Sequence, residues 1–347
     1  MTNDQLMNLA AGARAAIADP ARMTLVGSDA NPRFELFHAA SSLCSQKVRT
    51  VLFEKRLPYR SNDMMILSSM GPDGVVPAEH YHPPYVRLRL IAAQEIGREF
   101  VSGYSGRTSV EGEGFDPCVV PMLVDYEAGR VIADSRRICC YLDAMSRDPV
   151  QLVPEDADAR AQVMQQVDIV DRIPNGSLLY GFHPDADLRP EALKAVMESV
   201  YDYKIAALEA MVDANADDAE LVSAYRAKIA KERGGKSVRH DAAFQRSARH
   251  HVAGLLADLD QVLGTASPYL RGESFSLGDV LWGVNLVRLA YLGLASMWED
   301  RPNVVRYASA LLARPSLRKE AVQATMDSMP PSRYLDAIAG TTEVASV

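Results

Sequence analysis

The chain has 347 residues, 48% of them hydrophobic and 24% charged, with a formal net charge of −8. That length admits two domains, and the acidic balance lacks the basic stripe that nucleic-acid binding requires, so no nucleic-acid partner is expected. No membrane partner is expected either: the longest apolar stretch, Val280 to Trp298, is interrupted by Asn285 and Arg288 and reads as a buried helix over 280–298.

Residues 1–32 form an alanine-rich, weakly helical extension, and the amino end lacks the basic region of a signal peptide. Strand and helix signals then alternate from 33 to 148. Phe34–His38 reads as a strand and Tyr59–Leu67 as a second extended run, with a helix over Ser45–Lys55 between them. Residues 68–116 are rich in Pro, Gly and Ser and read as an irregular segment. In Val119–Asp125 a proline stands inside a strand pattern; proline is excluded from a central ladder, so Pro121 marks the strand's start, and a cis Val120–Pro121 bond fits there. Arg130–Ala133 pairs back as a hairpin after Ala128-Gly129. Asp134 and Ser135 then cap a helix through Ile138, Tyr141 and Leu142. The order βαβ followed by ββα is that of a thioredoxin-like layer.

From 149 to 335 the apolar positions fall at helical spacing: Val163, Val167, Val170 and Ile173; Leu193, Val196 and Val200; Val252, Leu255, Leu259 and Leu263. An all-helical second domain of six or more helices follows, with a tail over 336–347. Ser276-Leu277-Gly278-Asp279 reads as a reciprocal cap opening the apolar helix.

The chemistry concentrates at Ser41–Arg49, where a strand hands over to a helix beginning near Cys44 or Ser45. Free amides and the positive end of the helix dipole gather at such a start, favouring a thiolate or a bound sulfur anion. Lys47 stands where a dithiol motif would place its second cysteine. A mixed disulfide at Cys44 would therefore need an outside thiol to release it. Lys47 and Arg49 add positive charge. The plainer alternative is that Cys44 is a small buried apolar residue. Cys118, Cys139 and Cys140 read as structural, and four cysteines in a chain this long make no disulfide framework; a reduced, cytoplasmic protein is expected. No Cys/His grouping has zinc spacing, so no metal site is expected, and Gly103–Gly106 fits no phosphate loop.

Taken together, Ser-x-Cys-Ser, Val120-Pro121, Asp134-Ser135, Ser276–Asp279, Arg301–Val304 and Ala313–Ser316 occur in an order and spacing that resemble the glutathione transferase superfamily. The resemblance covers 33–148 and 150–335 and leaves the N-terminal extension and two insertions, at about 68–116 and about 184–240, unmatched. It implies a glutathione transferase fold of α/β plus all-α type: a thioredoxin-like N-terminal domain followed by a helical C-terminal domain. Ser42–Arg49, Tyr85–Leu88, Tyr180-Gly181 and Asp279–Trp282 resemble the glutathione-dependent hydroquinone reductive dehalogenases, an aromatic-degradation family.

That resemblance implies glutathione as cofactor, a chlorinated hydroquinone as substrate and a homodimer as the assembly. Ser42 would hydrogen-bond the glutathione sulfur and Cys44 would exchange with the glutathionyl adduct. Val120, Pro121, Asp134 and Ser135 would hold the tripeptide, with Lys47 as a further contact. Tyr85, Arg87, Tyr180 and His183 are the substrate-side candidates, set against plainer readings as helix-face or loop residues. Ser42, Asp134 and Ser135 could equally be helix caps. A glutathione-dependent cis–trans isomerase, a β-aryl-ether-cleaving transferase and a non-catalytic binding module of the same fold are the alternatives.

Overall fold

In the computed structural model, which describes residues 2–343 apart from 73, 147, 265 and 266, the chain forms two compact units. Residues 1–45, 56–138 and 196–237 build the first, and 46–55, 139–195 and 238–347 the second. The N-terminal half runs α1 (Asn3–Ala15), β1 (Met23–Val26), β2 (Phe34–His38), α2 (Leu43–Glu54), β3 (Tyr59–Asp63) and a small hairpin, β4 (Ser69–Gly71) and β5 (Gly74–Val76). It continues with α3 (Pro83–Ile96), a single turn α4 (Val110–Glu113), β6 (Met122–Asp125), β7 (Arg130–Ala133) and α5 (Ser135–Met145).

The first unit carries a five-stranded sheet of order β1-β3-β2-β6-β7. β2 and β3 are parallel and the other pairs antiparallel, so the thioredoxin-like order read from the sequence is present. β2 is buried along its whole length, which suits a central strand. β1 is an addition at the sheet's edge, supplied by the stretch read as an extension. That stretch is built into the fold: Leu6, Ala10, Ala13 and Ile17 recur at helical spacing and are buried in one core with Phe37, Tyr85, Leu88, Ala92 and Met122. Arg14 reaches the carboxylate of Glu35 at 2.7 Å, and Glu35, fully buried on β2, also accepts from Asn62 and Tyr126.

The segment 68–116 is not irregular throughout. It contains α3, the crossover helix between β3 and β6. Pro83 and Pro84 suggest a break, but they occupy the first helical positions, where a missing N–H is harmless. α3 has two apolar faces. Tyr85, Leu88 and Ala92 join the sheet core, while Val86 and Leu90 pack with Ala207, Leu208, Leu221, Ala224 and Tyr225. Those last residues belong to α8 (Glu191–Ala214) and α9 (Ala219–Val238), the hairpin read as an insertion in the helical domain, once α6 (Ala157–Val170) and α7 (Asn175–Tyr180) have passed. The hairpin from 196 to 237 thus belongs to the first unit, fixed by a buried ionic cluster. The carboxylate Oδ2 of Asp116 accepts from Lys228 and Lys231 at 2.8 Å each, and Glu232 bonds Lys228 at 2.9 Å and Lys204 at 3.3 Å.

The second unit is helical, with α6, α7, α10 (Ala242–Leu263), α11 (Leu277–Tyr291) and α12 (Pro302–Ala313) as its main elements. The box at Ser276 is present: Asp279 accepts from the Ser276 amide and hydroxyl at 2.7 and 2.6 Å, and from Leu270 N–H and Tyr307 Oη. α11 stops at Tyr291, short of the expected 298, because Gly293 turns into the left-handed region at φ 75°. Inside the unit Trp282 Nε1 donates to Gln166 at 3.0 Å, and Asn175 donates to Asn285 at 2.8 Å. The expected tail is helical over Arg333–Glu343; its last four residues lie outside the described ones. Among the described residues no helix is long and apolar enough to cross a membrane.

Candidate active site

Ser42 is the N-cap of α2: its Oγ accepts from Ser45 N–H at 3.4 Å. The helix opens at Leu43, one residue earlier than expected, so the hydroxyl caps and Cys44 stands at the second helical position. Cys44 is half-buried, and its Sγ lies 3.5 Å from Thr108 Oγ1. Lys47 and Arg49 do not supply free charge to this end. Both are built into the second unit, where Lys47 is buried with Asp171 at 3.6 Å and Arg49 pairs with Glu320. Helical rotation turns positions 47 and 49 away from the capped end, which is the physical reason the linear proximity misled.

The Val120–Pro121 bond is cis. The loop carrying it is held from α3 by two side chains one helical turn apart. Tyr85 donates to the Val119 carbonyl at 2.7 Å, and Arg89 donates to the Pro121 carbonyl at 2.9 Å and to the Asp116 carbonyl at 2.8 Å. Tyr85 is fully buried, and burial pushes its hydroxyl well above the ordinary range. It supports the loop. Arg87, two positions on, faces outward and pairs with Asp218 at 2.6 Å, its side chain 45% exposed.

Asp134 adopts φ 76° at the head of α5. Its two oxygens serve two amides, Oδ1 taking Arg137 N–H at 3.2 Å and Oδ2 taking Val110 N–H at 3.1 Å. Asp134 and Ser135 share a cavity with Cys44, Val120 and Pro121, the five brought together from three distant stretches of chain. Thr108, Val110 and Glu113 close one side; Arg89, Asp116 and Lys231 complete the wall. The cavity is small, about 30 Å3, and partly open to solvent.

Sequence reasoning missed Thr108, Arg89, Asp116 and Lys231. Arg89 could have been found, being one turn after Tyr85 on a helix that the two prolines disguised. Nothing local marks Lys231. Behind the wall, burial and the ammoniums of Lys228 and Lys204 hold His80 neutral, with a pKa of about 3. Burial alone would raise Glu232, but Lys204 and Lys228 outweigh it and bring its carboxyl down to about 2.

Tyr180 and His183 lie in the second unit. Tyr180 ends α7 and is half-buried. His183 accepts on Nδ1 from the amides of Asp185 and Ala186 at 3.3 and 3.4 Å, and burial followed by Arg249 lowers its pKa. One ring nitrogen is thereby spent on shaping the turn. Neighbouring Phe182 stacks on His240 at 4.7 Å and carries Arg189 on its ring. Cys118 and Cys139 are buried and Cys140 half-buried, and none of the three is in a disulfide. Among the described residues no His, Cys, Asp and Glu grouping could hold a metal ion.

Comparison with known proteins follows the same lines. The family model "Glutathione S-transferase, N-terminal domain" matches residues 41–145. The chain is 40% identical over 341 residues to a 2,5-dichlorohydroquinone reductive dechlorinase of Sphingobium indicum, covering 93% of this chain and 95% of that protein. It is 23% identical over 291 residues to a tetrachloro-p-hydroquinone reductive dehalogenase of Sphingobium chlorophenolicum, covering 84% and 96%. Among solved structures, a β-etherase from Sphingobium sp. strain SYK-6 aligns with TM-score 0.52 at 17% identity, over 83% of this chain and 98% of that one; this likeness is one of fold.

Proposed function

The chain belongs to the glutathione transferase superfamily and is a glutathione-using enzyme of that kind, and from this premise we propose that it removes halogen reductively from chlorinated hydroquinones. The observation that carries the proposal is the meeting of the Cys44 thiol with Val120, Pro121, Asp134 and Ser135 on one cavity, in a chain 40% identical to a dechlorinase along almost its whole length.

Each residue's role follows from its chemistry. A serine hydroxyl has one donor and two acceptor positions. Ser42 uses an acceptor position on α2, which leaves its O–H to donate to the glutathione thiolate. That thiolate adds to the chlorine-bearing carbon of the tautomerised substrate, and chloride leaves to give a glutathionyl hydroquinone. Cys44, as thiolate, then attacks the glutathione sulfur. An S–S bond forms, the S–C bond breaks, and the ring carbon takes a proton. A second glutathione displaces Cys44 and departs as oxidised glutathione, so two thiols supply the two electrons that convert C–Cl to C–H. Asp134 and Ser135 hold the γ-glutamyl end and the Val120 backbone pairs with the cysteinyl part. Tyr180 and His183 remain the candidates for meeting a phenolic oxygen. Assembly as a homodimer in the cytoplasm is part of the same reading, and sedimentation at the 38.0 kDa single-chain mass would overturn the dimer.

The test is chloride release and product masses from 2,5-dichlorohydroquinone plus glutathione, with wild type and Cys44→Ser side by side. Wild type is expected to give dechlorinated hydroquinone and oxidised glutathione, and the variant to stop at the glutathionyl hydroquinone. Full hydroquinone formation by Cys44→Ser sinks the exchange step. Absence of chloride from both proteins sinks the dehalogenase reading, in favour of isomerisation without net glutathione use or of ether cleavage.

A further inference from the structure

We propose that Thr108 is a catalytic hydrogen-bond donor to the Cys44 sulfur, delivered by the segment between α3 and β6. The proposal rests on the reading of Cys44 as the exchanging thiol. As a thiol, Cys44 donates to Thr108 Oγ1 across 3.5 Å. Once the sulfur is a thiolate it has no proton to give, and the same contact is kept only by reversal, with the Thr108 hydroxyl donating to the anion. Ser42 is committed to the helix cap on one side of the thiol, and the second hydroxyl comes from a different stretch of chain.

Thr108 is exposed, but it is no loose loop tip. Two residues on, Val110 is buried in the sheet core and its N–H is bonded to Asp134. Ser109 caps the turn that follows, accepting from Glu111 N–H. Glu111 itself bonds Arg137 at 2.6 Å and Arg98 at 3.0 Å. The hydroxyl is therefore anchored to the head of α5, the element that presents Asp134 and Ser135. The charged groups on the same cavity are Arg89, Glu113, Asp116, Asp134 and Lys231. Among these groups and Thr108, it is the hydroxyl that is given a contact with the sulfur.

In the exchange step the anionic sulfur of Cys44 attacks the sulfur of the glutathionyl hydroquinone; when the second glutathione breaks the resulting disulfide, negative charge returns to Cys44 as the leaving group. A donor at Thr108 stabilises both charged ends of that passage. It also favours the thiolate before substrate arrives, and this is measurable without any turnover.

The experiment is peptide-mapped alkylation of Cys44 by iodoacetamide between pH 5 and 10 in the full-length wild type, Thr108→Val and Thr108→Ser. A hydrogen bond to a charged group contributes enough to slow Thr108→Val by about tenfold at pH 7. Thr108→Ser keeps the hydroxyl and is expected within about twofold of wild type. With 2,5-dichlorohydroquinone and glutathione, Thr108→Val is expected to accumulate glutathionyl hydroquinone. Wild-type alkylation by Thr108→Val, or equal slowing of Thr108→Ser and Thr108→Val, overturns the proposal. Failure of the dehalogenation reading shows separately, as a wild type that reacts with iodoacetamide but releases no chloride.

Discussion

Asp116→Asn should destabilise the first unit by about 3 to 5 kcal/mol, the range for breaking a buried ion pair. One carboxylate oxygen lies 2.8 Å from two ammoniums, Lys228 and Lys231. At an effective dielectric of 20, each contact is a Coulomb attraction of about 6 kcal/mol before desolvation. Asparagine would keep an acceptor for Cys118 N–H, now met by Asp116 Oδ1 at 3.0 Å, but would aim an amide N–H2 at two cations. Lys228 keeps Glu232; Lys231, 14% exposed, loses its carboxylate partner and is only partly hydrated. Relief from no longer burying the Asp116 charge offsets roughly two thirds of the gross loss. With an unfolding slope near 3 kcal/mol/M, the midpoint should fall by about 1 to 2 M urea. Because two units need not unfold together, the midpoint is best read from hydrogen exchange of α9 peptides across a urea series. Adding Lys231→Met to Asp116→Asn removes one unpaired ammonium and should recover about 1 to 2 kcal/mol. A single variant within about 0.3 M of wild type, or a double variant no better than the single, would refute the reasoning.

Three further outcomes follow from the same accounting of buried groups. Arg14→Met should cost about 2 to 3 kcal/mol, less than a fully orphaned charge because Asn62 and Tyr126 still donate to Glu35; an unchanged thermal midpoint would show that the N-terminal helix is not a working part of the sheet. Glu232 is held at about 2 against an ordinary 4.5. A depressed carboxyl stabilises the fold fully above the unfolded value, and that contribution is lost as pH falls from about 4.5 towards 2. Glu232→Gln should flatten the pH dependence of unfolding in that window, and an identical slope would refute the assignment. Gly235→Ala should destabilise by about 1 to 2 kcal/mol despite alanine's better helix propensity, because the new Cβ would stand 2.6 Å from the buried Tyr201 ring. A rise in stability measured by denaturant titration would overturn it.

The parts of the site legible in the sequence were those whose chemistry is local. A serine before a helix, a proline interrupting a strand and an aspartate before a helix each announce their geometry through the backbone groups next to them. Ser42, Pro121 and Asp134 all stand as expected. What was illegible depends on which way a helix is turned. Tyr85 and Arg87 sit two residues apart in a run whose helical character Pro83 and Pro84 conceal; one is buried against the Val119 carbonyl and the other salt-bridged outside. Lys47 follows the thiol by less than one turn and still ends buried beside Asp171. The pairing of Glu35 with Arg14, and of Asp116 with Lys231, crosses 21 and 115 positions. No window of periodicity registers a partner at such a distance.

The double-sided burial of α3 has a mechanical corollary. A helix apolar on two faces cannot roll without exposing one of them, and Tyr85 and Arg89 fasten its remaining direction to the carbonyls around the cis-proline. The stretch Val119 to Pro121 on the cavity wall is accordingly stiff, clamped at the Val119 and Pro121 carbonyls. The opposite side, 97–114, has one helical turn and few buried side chains besides Val101 and Val110, so far less free energy resists its displacement. A ligand that needs more room than the cavity now offers therefore meets least resistance from the 97–114 side, on either side of the anchor that the Val110 N–H makes to Asp134.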